Sequence, residues 1–396
     1  MHQLPILRLK PGKEQSVKRY HPWVFSGAVK GLENAGLKDG ELVAVHDSND
    51  NFLALGHYHG GSIAVRIVSF TKEQPDDTFW TNKLARAWEL RKAIGLTDSE
   101  DTTAFRLVHG ESDGLPGLII DIYNNTAVIQ AHTLAMYNLR PVLVKALGEV
   151  MGDRLRSVFD KSERTLTASS GIELRNSYLM GSGGDPIVKE NGLRFNVGWE
   201  KGQKTGFFVD NRENRHLLET YSKGRKLLNL YCYTVAFSCY ALRGGAKLVN
   251  SVDSSERAIM LCNENVELNF PGDSRHKSIV SDSYKYMEAA TEKYDLIILD
   301  PPAFAKHHTV INNAIQGYKR INVKAMEMMA PGGILFTYSC SQLVSRDAFR
   351  TMLFSAAASC GRNIRILHQM SQGADHPISM YHPESEYLKG FVLYVE

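Results

Sequence analysis

The second half of the chain alternates short apolar runs with segments of helical composition, and this alternation constrains the fold more than any other feature. Five runs have the length and the Leu, Ile and Val content of buried strands: KLLNLYCY, KLVNSVD, SIVSD, YDLIILD and GGILFTYS. Strands that alternate with helices predict a parallel sheet with crossover helices. Two later runs, RNIRILHQ and KGFVLYVE, predict a closing hairpin at one edge. We therefore expect an α/β fold here.

The first half follows a different pattern. From about Leu37 to Phe70, apolar and polar residues alternate between turn residues, which predicts a small antiparallel barrel or sandwich. A helix over Thr78 to Ile94, a hairpin meander and a second helix near Tyr137–Val150 follow. With 396 residues the chain exceeds the usual size of one hydrophobic core. We predict a β-rich domain over 1–70, an α+β domain over 71–185 and an α/β domain over 186–396.

Composition excludes several classes of protein. No window approaches the roughly 18 consecutive apolar residues of a membrane span, and the first residues are too charged for a signal peptide. We therefore expect a cytoplasmic protein that does not contact membranes. Five cysteines without a C-x-x-C pair argue against both a disulfide framework and a structural zinc site, so no metal is predicted.

Positive charge is concentrated at the N-terminus. Residues 1–30 carry a local balance of +5, which leaves −2 for the remainder of a chain whose net charge is +3. Aromatic side chains that can stack on bases lie within this basic run, among them Trp23. We predict that the segment contacts RNA, with Lys18, Arg19 and Trp23 as candidate residues. A solvated basic arm is the simpler alternative.

Acidic residues recur where the predicted strands end, at Asp253, Asp282 and Asp300. Open parallel sheets bind ligands beyond the carboxyl ends of their strands, and an acid about 20 positions after the first turn suits a ribose. The glycine-rich turn that holds a pyrophosphate is missing, because Val235 and Ala236 stand in its place. We therefore expect S-adenosylmethionine, which has a ribose, an adenine and a sulfonium but no phosphate, and not NAD or ATP.

Each of these aspartates, taken alone, has a simpler interpretation as a helix cap or a solvated strand end. Asp300 differs because Pro301 and Pro302 follow it, which fixes two φ angles and removes two amide donors. A rigid turn that presents carbonyl groups after an acidic residue indicates a binding loop. A stiff connection is the alternative.

The order of the motifs resembles one family along the whole chain. The motifs are HPWVFSG (21–27), GESDGLPG (110–117), GQKTGFFVDNR (202–212), DPPAF (300–304), YSCS (338–341) and HPESEYLKG (382–390). Together they look like the RlmI-type 23S rRNA cytosine-5 methyltransferases. The resemblance implies an N-terminal PUA RNA-binding domain, a central α+β domain and a C-terminal Rossmann-like class I methyltransferase domain. It also implies 23S ribosomal RNA as partner and leaves open whether the chain forms a homodimer.

The resemblance further implies which residues form the cofactor pocket. They lie before the first strand of the α/β domain, in the turn that follows it and at the later strand ends: Gln203, Phe207, Arg212, Tyr233, Thr234, Asp253, Ser254, Asp282, Ser283, Asp300 and Pro301. One departure concerns the first turn. Many relatives have a glycine pair where this chain has Val235 and Ala236. The departure leaves the shape of this turn open, and weaker cofactor binding is one consequence.

Three functions follow, in order of preference. The first is formation of 5-methylcytosine, with Cys340 attacking carbon 6 of the ring and Asp300 contacting the base. The second is methylation of an exocyclic amine or a purine ring nitrogen such as guanine N7, which needs no thiol. The third is an RNA-binding protein whose catalytic domain has lapsed. We interpret Cys232 as a packed residue of the first strand, a role that Cys340 would share without its YSCS context.

Overall fold

The computed structural model describes residues 4–34, 36–166, 174–304 and 308–396. The chain forms two compact units, and each combines segments that are distant in the sequence. The first unit contains Met1–Val188, Val197–Phe208 and Ala374–Ser385, and the second contains Lys189–Asn196, Val209–Gly373 and Glu386–Glu396. The domain boundaries at 70 and 185 stay predictions.

A five-stranded sheet opens the first unit. Its strands are β1 (Ile6–Arg8), β2 (Trp23–Phe25), β3 (Leu42–His46), β4 (Phe52–Tyr58) and β5 (Ile63–Ser69), with a short helix α1 (Gln15–Lys18) between β1 and β2. The spatial order is β1-β3-β4-β5-β2, and every pair except the parallel β1–β3 is antiparallel. Alternation correctly indicated β3, β4 and β5. Three-residue strands such as β1 and β2 are too short for alternation to reveal them.

The second sheet of this unit has the order β10-β9-β8-β7-β6. Its strands and the helices around it are α2 (Asp77–Ala93), β6 (Ala104–His109), β7 (Leu118–Tyr123), β8 (Thr126–Ala131), α3 (Leu134–Asn138), α4 (Arg140–Met151), β9 (Ser157–Asp160) and β10 (Ser177–Met180). The antiparallel meander β6–β7–β8 confirms the predicted hairpins. Leu84 of α2 and Leu147 of α4 share a core with Leu55 and Val68 of the first sheet. Residues before 70 therefore share a hydrophobic core with those that follow.

A two-stranded sheet of β11 (Ile187–Glu190) and β12 (Leu193–Asn196) comes next in the chain. The remaining strands belong to the second unit: β13 (Lys226–Leu230), β14 (Leu248–Asp253), β15 (His276–Val280), β16 (Tyr294–Leu299), β17 (Met329–Ser339), β18 (Ile364–Met370) and β19 (Lys389–Val395). Its helices are α5 (Arg212–Tyr221), α6 (Ala236–Arg243), α7 (Glu256–Asn269), α8 (Ser283–Ala289), α9 (Ile311–Met328) and α10 (Arg346–Cys360).

These seven strands form one sheet in the order β15-β14-β13-β16-β17-β19-β18. The first five are parallel, whereas β19 pairs antiparallel with both β17 and β18. The parallel sheet and its closing hairpin confirm the pattern predicted from the sequence. Strand order reverses between β13 and β16, and ligands of open α/β sheets bind at such a switch point.

The first parallel strand is shorter than the predicted run KLLNLYCY. It ends at Leu230 because the backbone then turns left-handed, with φ of +58° at Tyr231 and +45° at Tyr233. Cys232 therefore lies after the strand and not in it, which corrects the predicted location. Its side chain is nevertheless buried. Among the described residues, we find no helix that combines the length and the apolar character needed to cross a membrane.

Candidate cofactor and catalytic site

Three loops follow neighbouring strands at one edge of the parallel sheet of the second unit. Leu230 at the end of β13 pairs with Val252 on one side and with Leu299 on the other. Tyr231, Asp253 and Asp300 therefore follow at about the same level. The sheet register thus brings together loops that the sequence separates by up to 70 residues.

The loop after β13 has a backbone conformation that usually requires glycine. Val235 has φ +75° and is fully buried, and it follows two tyrosines that also have positive φ. Left-handed backbone costs an L-residue roughly 1–2 kcal/mol, and a β-branched side chain tolerates it poorly. The Tyr233 amide is held by Asp253 Oδ2 at 3.0 Å, and the Tyr231 amide by Ser283 Oγ at 3.2 Å. Neighbouring side chains therefore fix the turn that the sequence left open.

Asp253 and Asp282 both bind backbone amides. Asp253 Oδ1 also accepts a hydrogen bond from Ser255 N at 2.9 Å, and Asp282 caps α8 by accepting from Lys285 N at 2.9 Å. A carboxylate has about four acceptor sites, so both retain capacity for a ligand. Ser254 is exposed beside Asp253, and Thr234 is buried. The cofactor roles of these residues stay predictions.

The residues of this loop fit a cofactor that lacks phosphate groups. Val235 puts a side chain where a pyrophosphate-binding turn would have glycine, and the Asp253 carboxylate accepts a hydrogen bond from the Tyr233 amide of the loop. A second carboxylate, that of Asp282, adjoins Ser283, whose hydroxyl accepts from the Tyr231 amide. Carboxylates repel a pyrophosphate, whereas they tolerate a sulfonium cation and accept hydrogen bonds from ribose hydroxyls. S-adenosylmethionine therefore suits this set of residues better than NAD or ATP does.

The thiol of Cys340 lies against the Asp300–Pro302 turn. Cys340 follows β17 directly, is half-buried and has its Sγ 3.7 Å from the Pro301 carbonyl oxygen. Asp300 is also half-buried, and its Oδ2 accepts a long hydrogen bond of 3.5 Å from Asn211 Nδ2. The two residues predicted to be catalytic thus belong to adjacent strand ends of β16 and β17.

The chain around Cys340 is held from two further elements. Ser341 Oγ shares a hydrogen bond of 2.9 Å with the hydroxyl of Tyr318 on α9, and the Ser341 carbonyl accepts one of 2.7 Å from Lys389 Nζ on β19. Burial raises the pKa of Tyr318, and the nearby Cys340 acts in the same direction. Tyr318 therefore stays a neutral hydrogen-bonding group that anchors the turn.

Several residues around the site in the second unit were not predicted from the sequence. Asp210 is buried and accepts a hydrogen bond of 2.6 Å from the Tyr387 hydroxyl, while Gln372 Oε1 accepts from the Tyr387 amide at 3.3 Å. Lys389 was not predicted either. Asp210, Tyr387 and Lys389 lie in the motifs GQKTGFFVDNR and HPESEYLKG, so these motifs were the available signal. Arg212, which was predicted, is buried and donates to Glu213 Oε1 at 3.3 Å.

Two predicted cofactor residues belong to the first unit. Gln203 is exposed, whereas Phe207 is buried and its amide donates to the Tyr123 hydroxyl at 3.2 Å. Burial raises the pKa of Tyr123, which keeps this hydroxyl neutral. Their membership of the pocket that the sequence predicted stays a prediction.

The candidate RNA-contacting residues lie in the first unit. Lys18 and Arg19 are exposed at the end of α1, next to Tyr20, whose half-exposed ring is 5.3 Å from that of Tyr381. Trp23 is less accessible, and its Nε1 donates a hydrogen bond of 2.8 Å to Glu111 Oε1. The exposed surface at this position is therefore basic and aromatic.

The five cysteines are free thiols with different surroundings. Cys232, Cys239 and Cys262 are buried, whereas Cys340 and Cys360 are half-buried. A hydrogen bond from Cys232, with help from His276, lowers the pKa of Cys262 to about 6, but its burial keeps substrates away. Within the described parts of the chain, no group of three or more His, Cys, Asp or Glu residues is arranged to hold a metal ion.

Comparison with known proteins identifies the family. A profile of S-adenosylmethionine-dependent methyltransferases matches residues 179–369, and one of PUA-like domains matches residues 7–70. The ribosomal RNA large subunit methyltransferase I of Pseudoalteromonas atlantica is 37% identical over 390 residues, covering 97% of this chain and 98% of that protein. This chain belongs to the ribosomal RNA large subunit methyltransferase I family. Its cofactor is S-adenosylmethionine and it is an rRNA methyltransferase.

Other relatives agree with this assignment. The family member of Alteromonas mediterranea is 38% identical over 390 residues, with 97% of each chain covered. Among solved structures, SMU.776, described as a methyltransferase complexed with SAH, has a TM-score of 0.86 at 24% identity and covers 98% of this chain and 100% of its own. That likeness shows the fold. The predicted PUA-like and methyltransferase domains, and the family itself, are confirmed.

Proposed function

We propose that this methyltransferase forms 5-methylcytosine in 23S ribosomal RNA, with Cys340 as covalent nucleophile and Asp300 as the group that binds the cytosine. The contact between Cys340 Sγ and the Pro301 carbonyl, 3.7 Å long, is the observation that supports this proposal most directly. It puts a half-buried thiol against the acidic-Pro-Pro turn. Transfer to an amine or a purine nitrogen needs no thiol there.

Carbon 5 of cytosine is too weak a nucleophile to accept a methyl group unaided. In the proposed reaction Cys340 loses its thiol proton to water, and the thiolate forms a bond to carbon 6. The electron pair of the ring double bond then lies on carbon 5, which takes up the methyl group. Loss of the carbon 5 proton to water and departure of the thiolate restore the ring. Two moderate barriers thus replace one high barrier.

Asp300 is proposed to bind the amino group or ring nitrogen of the cytosine. Protonation of the ring nitrogen, which a carboxylate beside it stabilises, withdraws electrons from the ring and favours addition at carbon 6. The rigid Pro301-Pro302 segment keeps the Pro301 carbonyl next to the thiol. The turn would then orient both reaction partners without a change in conformation.

The cofactor supplies an activated methyl group on a sulfonium. We propose that Asp253 binds its ribose and that Asp282 contacts its adenine, since both carboxylates retain acceptor capacity beside their amide partners. The other proposed cofactor residues are Gln203, Phe207, Arg212, Tyr233, Thr234, Ser254, Ser283 and Pro301. Removing the Asp253 carboxylate should then weaken cofactor binding.

For RNA recognition we propose the basic aromatic surface of the first unit. Lys18 and Arg19 neutralise phosphates, and the exposed rings of Tyr20 and Tyr381 offer faces on which unpaired bases stack. Trp23 supports this surface through its hydrogen bond to Glu111. The residues that supply most of the affinity for RNA would then be different from those that carry out the chemical step.

The decisive experiment uses RNA that contains 5-fluorocytosine, because the fluorine blocks the final elimination and traps the enzyme on the base. Wild-type protein is expected to form an adduct that survives denaturation, whereas Cys340→Ala forms none. Cys360→Ala is the matched control, since Cys360 is likewise a half-buried free thiol. Cys232→Ala tests a buried thiol. Both controls should form the adduct.

Three outcomes would favour the alternatives. An adduct or full methylation with Cys340→Ala would contradict the cysteine mechanism. Mass spectrometry of ribosomal RNA nucleosides from cells with and without the protein identifies the product, and loss of a methylated guanine or exocyclic amine would support purine or amine methylation. A protein that binds RNA but no S-adenosylmethionine in calorimetry would be a lapsed enzyme.

A further inference from the structure

Lys389 is a buried lysine beside the candidate nucleophile. It is the first residue of β19 and pairs with Ser339 on β17, one residue before Cys340. Only 2% of its surface is exposed. Taking an ammonium group out of water is costly, so its hydrogen bonds need partners. Nζ donates to the Ser341 carbonyl at 2.7 Å and to the Tyr387 carbonyl at 2.8 Å.

Both acceptors are neutral carbonyl groups, which satisfy hydrogen bonds but carry no full negative charge. The pKa of Lys389 is lowered to about 8, mainly by burial. Glu386 and Cys340 act against this shift, and Arg346 adds a smaller contribution that lowers the pKa. The ammonium form still predominates at pH 7. Interaction between two charges is mutual, so a Cys340 thiolate that favours charged Lys389 is itself favoured by that charge.

We propose that Lys389 is the positioning residue of Cys340: it fixes the turn that carries the thiol through the Ser341 carbonyl and stabilises the thiolate during attack on carbon 6. The inference rests on the proposed function, because it takes Cys340 as the nucleophile. Lys389 keeps its protons throughout. The thiol proton passes to water, and the sulfur uses its own electron pair to form the bond to carbon 6.

Lysine beside a thiol is a recognised means of favouring the thiolate, which is the reactive form of cysteine. Tyr318 also faces Cys340, but it is neutral and anchors Ser341 instead. The ammonium of Lys389 therefore supplies positive charge on the β19 side of the turn. An alternative is a purely structural role, in which the two carbonyl contacts matter and the charge does not.

The test measures alkylation of Cys340 by iodoacetamide across pH in the full-length protein without RNA, with the labelled peptide quantified by mass spectrometry. Lys389→Met retains the length of the side chain and removes the charge. We expect the midpoint of its alkylation profile to move to higher pH, with labelling at pH 7 roughly tenfold slower than in wild type. Lys389→Arg keeps the charge and should retain most of the wild-type profile.

Lys83→Met is the matched control. Lys83 of the first unit is half-buried, donates to the Val68 carbonyl at 2.7 Å, and has a pKa that burial lowers to about 8. The Lys83→Met variant should leave the labelling of Cys340 unchanged. Calorimetry with S-adenosylmethionine checks that each variant is folded. If Lys389→Met fails this check, Lys389→Gln, which also removes the charge, takes its place.

Two results would overturn the inference. One is a wild-type alkylation profile in folded Lys389→Met. The other is a Lys389→Arg profile displaced as far as that of Lys389→Met, which would indicate that shape and not charge matters. Failure of the proposed function has a different signature, because an adduct in Cys340→Ala can occur whatever the alkylation profiles show.

Discussion

Two clusters of polar side chains in this methyltransferase differ in how their charges are satisfied. In the first unit, Arg91 and Arg106 are buried and bind the carboxylates of Asp113 and Asp121 at 2.5–2.9 Å. We call these four residues the ion-pair cluster. In the second unit, Asp253, Asp282, Cys340 and Lys389 lie at strand ends and their bonds go to backbone groups. We call these the strand-end cluster.

The difference separates structural from chemical roles. Charges of the ion-pair cluster neutralise one another, so their hydrogen-bonding capacity is largely used within the fold. In the strand-end cluster, the described hydrogen bonds of Asp253, Asp282 and Lys389 go to neutral backbone groups, which do not neutralise their charges. Buried titratable groups are frequent at active sites but also occur in structural networks. In this protein the two clusters are distinguished by their hydrogen-bond partners, which are charged side chains in the ion-pair cluster and backbone groups in the strand-end cluster.

The largest expected effect is the loss of stability of the first unit in Asp121→Ala. Asp121 is fully buried and binds Arg106 through both carboxylate oxygens, so its loss removes this ion pair from a buried guanidinium. Breaking a buried ion pair from one side costs about 3–5 kcal/mol. Hydrogen exchange with mass spectrometry should show faster exchange in peptides of the first unit. Asp98→Ala, which removes an exposed partner of Arg154, is the control. Equal protection in both variants would contradict the structural role of the cluster.

Acid should destabilise the first unit. Burial lowers the pKa of His57 to about 4, against 6.5 when exposed. As pH falls from 6.5 to 4, the unfolded state binds protons that the folded state does not, so stability is lost in this interval. His57 contributes up to about 3 kcal/mol. Hydrogen exchange measures this loss of stability, with labelling times corrected for the pH dependence of the intrinsic exchange rate. His57→Phe, which keeps a ring beside Trp80, should lose less, and an unchanged pH dependence would refute the assignment.

A smaller effect is expected from Asp253→Ala in the strand-end cluster. Removing a hydrogen bond to a ribose costs about 1–3 kcal/mol, so the Kd for S-adenosylmethionine should rise roughly tenfold or more in calorimetry. Part of this effect comes from release of the Tyr233 amide. Glu256→Ala, in the first turn of α7, is the control and should bind normally. Tighter binding of NAD than of S-adenosylmethionine by wild type would contradict the cofactor site.

The smallest effect is expected on RNA binding, in a double variant that combines Lys18→Ala and Arg19→Ala. Each of the two side chains is proposed to neutralise one phosphate, so the double variant should reduce the steepness of log affinity against log salt by about 2. RNA binding should weaken while cofactor affinity stays constant. Lys145→Ala, an exposed lysine elsewhere in the first unit, is the control. Deleting residues 1–70 is a poorer test because they share a hydrophobic core with α2 and α4. An unchanged salt slope would exclude these residues from RNA binding.

The amino-acid sequence alone was sufficient to predict the parallel sheet, the closing hairpin and the family. Alternating strand and helix patterns are local, and the motifs follow one another in order along the chain, so neither needs knowledge of spatial contacts. The sequence also singled out Asp300 and Cys340 at strand ends. For Asp282 it left two interpretations open, and the structure shows the helix cap, while the cofactor contact stays a prediction.

Only the tertiary structure revealed the turn after β13 and the place of Lys389. A left-handed backbone at Tyr231, Tyr233 and Val235 contradicts the local preferences of these residues, so no pattern predicts it. It persists because Asp253 and Ser283, distant in sequence, bind its amides. Lys389 looks like an ordinary exposed lysine before an apolar strand. Pairing of β19 with β17 buries it beside Cys340, and such long-range pairing depends on the complete sheet.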